Sequence, residues 1–199
     1  MFDLGGVVLR WEPHRAFVGV LDPGDVQPFL DEVDFGVWNH QHDAGRPFAD
    51  GVRELSERFP QHAAAIAAYA RNHHLTITGP IPETVAVIEE LHRQGVRLFA
   101  LTNWSAETFP PARRRFEILQ RFVGIVVSGE EGVAKPDPRI YRLLLERYDL
   151  EPADVLFVDD LPVNVEAARE VGMHGHCFTG APALRADLSR LGLLSASSQ

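Results

Sequence analysis

Asp3 follows an apolar pair and is itself followed, one residue later, by Gly5 and Gly6. Leu98-Phe99-Ala100-Leu101 runs into Thr102 and Asn103, and Val155-Leu156-Phe157-Val158 runs into Asp159 and Asp160. Between these two runs, Lys135 stands just before Pro136-Asp137-Pro138. If these points share one rim of a sheet, three carboxylates meet there, and like charges raise one another's pKa unless a cation lies among them. A hard divalent ion with oxygen ligands does that, and a small one such as Mg²⁺ suits one or two carboxylates plus a phosphate. Thr102 and Asn103 can donate hydrogen bonds to a phosphoryl group, Lys135 can neutralise its charge, and Asp3 is left free to attack.

Each feature has an ordinary local reading as well. Asp-x-Gly is common turn chemistry, Thr102 and Asn103 can cap a following helix, and a lysine before proline is usually solvated surface. What favours chemistry is their ordered recurrence at successive strand ends.

The elements that must position these residues follow from periodicity. Strands are predicted at Arg97–Thr102, Val123–Ser128, Val155–Asp159 and Gly175–Phe178. Helices are predicted near Glu83–Arg93, Ala106–Leu119, Pro138–Tyr148, Val163–Val171 and Ala183–Leu191. In the first of these, Val85, Ile88, Leu91 and His92 form the apolar face, and Gly95 stops the helix. Short apolar strands alternating with helices predict an α/β fold, a doubly wound parallel sheet. Such sheets bind ligands outside the carboxyl ends of their strands.

Trp11 to about Thr78 shows helical patterning with no convincing strand. Helices are expected from the Asp22-Pro23-Gly24-Asp25 turn toward Val33, then over Phe35–Asp43, Pro47–Arg58 and Gln61–Asn72. Thr78-Gly79-Pro80-Ile81-Pro82 breaks the pattern and marks a return. The expected organisation is therefore a core of residues 1–10 and 79–199 with a helical cap at 11–78. Only Met1 and Phe2 precede Asp3, so either the start is trimmed or misplaced, or the first strand is unusually short. Ser195–Gln199 is expected to fray.

With 45% hydrophobic and 24% charged residues, the composition is that of a globular domain able to bury a core. A formal net charge of −9 argues against nucleic acid and anionic membranes as partners. The single Cys177 excludes an internal disulfide and is read as a buried structural thiol. Neither a spanning apolar run nor a signal segment is present, so a cytoplasmic protein is expected.

Phe2-Asp3-Leu4-Gly5-Gly6-Val7, Leu101-Thr102-Asn103, Lys135-Pro136-Asp137-Pro138 and Val158-Asp159-Asp160 with Asn164 resemble, in order, the four motifs of the haloacid dehalogenase-like (HAD) hydrolase superfamily. The resemblance covers essentially the whole chain and is to the subgroup with a small helical cap after the first strand. It implies a Rossmann-like core in which Asp3 forms an aspartyl-phosphate that water then hydrolyses. It further implies Mg²⁺ held by the Asp3 carboxylate, the Gly5 carbonyl and Asp160, with Asp159 assisting directly or through water. Thr102 and Lys135 would hold the phosphoryl oxygens.

One departure matters. Phosphatases resembling this chain usually carry a second aspartate two residues after the nucleophile, as general acid and base, and here that position is Gly5. The carbonyl survives, but a role worth about 10²–10⁴-fold in rate is vacant. Candidates for a substitute lie in the insert, where Trp38-Asn39-His40-Gln41-His42-Asp43-Ala44-Gly45 falls in the region that faces the active site in the resembling subgroup. His40 and His42 are read as surface histidines ahead of a substrate contact or a metal site, because i and i+2 point about 200° apart on a helix. His73-His74 is read as the solvated end of a helix. Trp11 and Trp104 wall the pocket or pack the core; Arg10 and Arg113-Arg114-Arg115 are read as a solvated face, with Arg10 an alternative anion contact.

The leading expectation is a Mg²⁺-dependent phosphatase for a small phosphorylated metabolite, a sugar phosphate being one option. A metal-independent 2-haloacid dehalogenase using the same aspartate, and a non-catalytic binding domain, are the alternatives. The oligomeric state is not legible.

Overall fold

The computed structural model of the protein describes residues 1–194; the expected frayed tail at 195–199 lies outside them. Strands β1 (Leu9–Trp11), β2 (Ile77–Pro80), β3 (Phe99–Thr102), β4 (Gly124–Val127), β5 (Leu156–Asp159) and β6 (His174–Cys177) alternate with helices in chain order. β3 pairs in parallel with β4, and β5 with β6. Phe2 bridges both Ala100 and Val158 in parallel, so the N-terminal segment lies between the two pairs. The sheet therefore runs β4, β3, the N-terminal segment, β5, β6, and the chain switches sides at that segment.

Both faces of this sheet are apolar, and the alternation of side chains shows it. Phe2, Ala100 and Val158 point into one core with Val87, Ile88 and Leu91 of α5 (Pro82–Arg93), Phe109 of α6 (Phe109–Arg115) and Leu184 and Leu188 of α10 (Ala181–Arg190). Met1, Phe99, Leu101 and Phe157 point into the other, with Ile140, Tyr141 and Leu144 of α8 (Pro138–Tyr148), which follows the one-turn α7 (Ser128–Glu131), and Ala167 and Ala168 of α9 (Pro162–Glu170). A helix layer on each face is the doubly wound, Rossmann-like arrangement.

Between β1 and β2 lie α1 (Val26–Glu32), α2 (Phe35–Asp43), α3 (Phe48–Arg58) and α4 (Ala63–Thr76). They close on their own cluster, which includes Phe17, Phe29, Phe35, Trp38, Phe48, Leu55, Ile66 and Tyr69. Tyr69 is fully buried and meets Phe35 edge-on, with ring centroids 4.8 Å apart.

Several expectations change. The first strand is short, yet Phe2 N donates to Phe99 O at 2.9 Å and Leu101 N to Phe2 O at 3.0 Å, while Asp3 N donates to Val158 O at 2.8 Å. Its central position supplies ladder bonds on both sides. The insert is bounded by strands after all: Leu9–Trp11 pairs antiparallel with Ile77–Pro80, a ladder made by distant segments and invisible to local patterning. The helix predicted over Ala106–Leu119 is split, because Phe116 turns extended and inward and is followed by a 3-10 turn at Glu117–Arg121. The buried face of α5 is Thr84, Val87, Ile88 and Leu91, one residue off the predicted stripe, and His92 is exposed. His73 is buried, since α4 runs on to Thr76 and keeps that position inside. His42 is also buried, stacked on Phe48 at 4.2 Å, while His40 is exposed. Cys177 is half-buried at the end of β6 rather than fully enclosed. Arg113 and Arg114 are exposed as read, but Arg115 donates to the carbonyls of His74 and Ile77 at 3.1 and 3.2 Å.

Candidate active site

Parallel register decides which acids meet. Phe2 pairs with Val158, so the next residues along, Asp3 and Asp159, stand side by side at the carboxyl edge of the sheet. Thr102 ends β3 on the other side of Asp3. Lys135 reaches the same point from the loop before α8, which Pro138 opens and Asp137 caps by accepting from Arg139 N at 2.9 Å.

The lysine is the hub. Its Nζ donates to Asp3 Oδ1 at 2.8 Å and to Asp159 Oδ2 at 2.6 Å, and the residue is 2% exposed. It also lies 5.4 Å from the centre of the Phe157 ring. Burial works against its charge, but Asp3 and Asp159 more than offset this and hold its pKa above the usual range. Burial pushes Asp3 up to about 6, with Asp159 and Asp160 adding to the rise and Lys135 opposing it. Asp160 is also raised, first by partial desolvation of its carboxyl beside the cavity, although the residue as a whole is exposed, and second by Asp159.

The twin acids differ sharply in what they have left to offer. Asp159 is fully buried, and its second oxygen accepts from Leu161 N at 2.9 Å and from Asn164 Nδ2 at 3.0 Å. Asn164 is held in turn, its carbonyl accepting from Tyr141 Oη at 2.9 Å. Asp160 is exposed and faces the cavity above Asp3. One carboxylate oxygen from each of Asp3, Asp159 and Asp160 lies within 4.8 Å of the others. Oxygens around one Mg²⁺ lie up to about 4.2 Å apart, given bonds of 2.0–2.1 Å. A small side-chain adjustment closes that gap, so the donor set fits a hard divalent cation.

Gly6 belongs to this arrangement for a steric reason. Its φ is +80°, and a Cβ there would lie 2.5 Å from Asp160 Oδ2. Gly5 is different: a Cβ would meet nothing nearer than Trp11 Cβ at 4.0 Å.

Asn103 has a job that its residue type did not reveal. Its Nδ2 donates to Lys135 O at 2.9 Å while its Oδ1 accepts from Lys135 N at 2.8 Å. This two-way clasp fixes the lysine loop to the end of β3, so Asn103 positions Lys135. Thr102 is 1% exposed, and it is not among the residues that line the cavity.

That cavity has a volume of about 280 Å³. Asp3, Gly5, Asn103, Lys135, Asp160 and Asn164 form its floor; Trp11, Phe35, Asn39, His40 and Asp43 face them from β1 and α2. Trp11 is 43% exposed, so it walls the opening, whereas Trp104 is 5% exposed and contributes to the core as well. Arg10 is exposed and donates to Pro80 O at 3.1 Å. Asn39 and Asp43 were not singled out from the sequence. The usable signal was their spacing, i and i+4 on one helix, which puts both on one face.

A sequence model of the haloacid dehalogenase-like hydrolase family matches residues 1–172. The chain is 31% identical over 196 residues to the sesquiterpene phosphatase astK of Aspergillus oryzae, spanning 96% of this chain and 94% of that protein. It is 35% identical over 194 residues to acyl-CoA dehydrogenase family member 10 of Mus musculus, spanning 87% of this chain but 17% of that protein. In structure it is similar to an HAD family enzyme of Bacteroides thetaiotaomicron solved with magnesium and inorganic phosphate. There the TM-score is 0.66 at 19% identity, covering 88% of this chain and 90% of that one, a likeness of fold. Among the described residues no helix is long and apolar enough to cross a membrane.

Proposed function

Because the chain belongs to the haloacid dehalogenase-like hydrolase family, we propose that it is a Mg²⁺-dependent phosphomonoesterase acting on a small phosphorylated metabolite, with Asp3 as nucleophile. The observation that carries this reading is the charge balance at Lys135. Three carboxylates share one ammonium, which leaves two negative charges converging on the cavity floor. A divalent cation neutralises that excess; a metal-free haloacid site would leave it repelling an anionic substrate.

Asp3, the Gly5 carbonyl and Asp160 would hold the ion, with Asp159 behind them. When bound, the ion supplies charge stabilisation for the phosphoryl oxygens and brings the phosphate to Asp3. Lys135 fixes one oxygen of Asp3 and leaves the other, which accepts no hydrogen bond among the described residues, facing the substrate. That oxygen attacks phosphorus, the ester P–O bond breaks, and an aspartyl-phosphate forms on Asp3. Water then attacks the same phosphorus and the Asp3 carboxylate is released. Lys135 steadies the phosphoryl oxygens as charge develops on them, and Thr102, enclosed at the end of β3, would reach them only if its hydroxyl turned toward the cavity.

We read residues 11–78 as a cap over a core of 1–10 and 79–199. The Leu9–Trp11 and Ile77–Pro80 ribbon joins the two, and the cap keeps a separate apolar cluster. The organic part of the substrate would lie between Trp11, Phe35 and His40, where aromatic faces suit a sugar ring or an isoprenoid chain.

A panel of p-nitrophenyl phosphate, sugar phosphates and isoprenoid monophosphates, assayed with Mg²⁺ and with EDTA, tests the reading. Release of phosphate that EDTA abolishes and Mg²⁺ restores is expected. Chelator-indifferent release of halide from 2-haloacids, with no phosphatase activity, would replace it with the dehalogenase.

A further inference from the structure

The position two residues past Asp3 is Gly5, so the loop that carries the nucleophile has no side chain able to give a proton to a departing alcohol. The cavity above Asp3 supplies a carboxyl group from the opposite wall. Asp43 is the last residue of α2 and lines the cavity together with Asp3, Lys135 and Asp160. It makes no hydrogen bond to Asp3 among the described residues. A buried relay orients it instead: Tyr69 Oη donates to Asn39 Oδ1 at 2.8 Å, and Asn39 Nδ2 donates to Asp43 Oδ2 at 2.9 Å. Tyr69 is fully buried and Asn39 is 9% exposed.

We propose that Asp43 is the catalytic acid and base of this site, replacing from the cap the group that the nucleophile loop lacks. The inference rests on Asp3 being a phosphoryl acceptor. In the first half-reaction the Asp3 oxygen bonds to phosphorus and the ester P–O bond breaks. Its electron pair stays on the ester oxygen, which takes the proton of the Asp43 carboxyl and leaves as the alcohol. In the second, water bonds to phosphorus, its proton passes to the Asp43 carboxylate, and the P–O bond to Asp3 breaks with its electrons returning to Asp3. Asp43 ends as it began, and the net change is ester plus water to alcohol plus phosphate.

The surroundings suit a group that keeps its proton near neutrality. Burial pushes Asp43 up to about 7, the Asp3 charge adds to this, and Lys135 and the Ser105 backbone amide oppose it. Its place at the carboxyl end of α2 acts in the same direction, because the helix dipole disfavours an anion there. Other groups on the cavity wall fit the role less well. His40 is exposed, His73 is pushed down to about 4 by burial and so carries no acidic proton near neutrality, and Asp160 would be taken up with the cation.

Asp43→Asn in the Mg²⁺-loaded protein tests the proposal through its dependence on the leaving group. Nitrophenolate departs without a proton, so its pre-steady-state burst from p-nitrophenyl phosphate should stay within about threefold of the parent rate. Steady-state turnover, which needs Asp43 as base to free Asp3, should fall. On the best alkyl phosphate of the panel, where the alcohol needs a proton, the burst of alcohol should itself fall by roughly 10²–10³-fold. Asn39→Leu, which frees Asp43 but keeps its carboxyl, should show the same contrast with a smaller loss. Equal fractional changes in the two burst rates, or unchanged turnover on both esters, would overturn the assignment while leaving the phosphatase reading intact. A parent protein inert toward both esters would overturn the phosphatase reading and this inference with it.

Discussion

The adjacent glycines that follow Asp3 and Leu4 should respond oppositely to the same substitution. At Gly6 the backbone has φ +80°, and an added Cβ would lie 2.5 Å from Asp160 Oδ2 and 3.1 Å from its Cγ. Gly6→Ala must therefore carry left-handed strain, about 1–2 kcal/mol, and must also push the Asp160 side chain aside. Asp160 is exposed and can swing away, so the clash itself costs little stability but removes a carboxylate from the proposed cation site. For a chain of this size the strain corresponds to a fall in Tm of about 2–8 °C. Displacing a metal-orienting group typically costs about 10–100-fold in metal affinity. Gly5→Ala meets no atom closer than 4.0 Å and is not in the left-handed region. It should be neutral or stabilising by up to about 1 kcal/mol. Thermal melts in EDTA measure the first effect, and Mg²⁺ titrations of p-nitrophenyl phosphate hydrolysis measure the second. Equal melts for the two variants, or an unchanged Mg²⁺ requirement in Gly6→Ala, would refute the steric and metal assignments respectively.

Asp3→Asn should abolish turnover yet stabilise the metal-free protein above neutral pH. The folded-state pKa of about 6 lies above the ordinary 3.8. The folded protein thus holds that proton more tightly, and ionised Asp3 opposes folding fully above about pH 6 and not at all below about pH 4. The shift is worth as much as about 3 kcal/mol. Melts of the variant and parent in EDTA should diverge as pH rises from about 4 to 8, and a constant difference would sink the account. Asn103→Leu strips both bonds from the Lys135 backbone, leaving two polar groups unpaired at about 1–3 kcal/mol each. Because it also releases the lysine, kcat should fall by about 10²-fold while the KM for substrate moves little; a loss confined to stability would show that the clasp does not position Lys135.

The fold was largely readable in the chain, since strand and helix periods are local. The strands expected over Arg97–Thr102 and Val155–Asp159 form at Phe99–Thr102 and Leu156–Asp159, and the helix expected near Pro138–Tyr148 was recovered to the residue. Errors came where tertiary pairing set the outcome. Nothing local in Leu9–Trp11 or Ile77–Pro80 announces a ladder whose partners are about seventy residues apart. The buried face of α5 moved by one residue because packing, not the strongest apolar stripe, decides which side turns inward.

Sequence alone determined the inventory of the proposed site: an aspartate, a threonine, an asparagine, a lysine and twin acids in order at successive strand ends. It also showed that the loop carrying Asp3 has no side-chain proton donor at Gly5. Only the tertiary structure decided how each group is spent. It committed Asp159 to Lys135 and Asn164 while leaving Asp160 free, turned Asn103 onto the lysine backbone, and set Asp43 across the cavity from Asp3. Residue types fix which bonds a side chain is able to make. Which bonds it does make depends on distances between segments remote in the chain, and those exist only once the sheet register and the helical insert are in place.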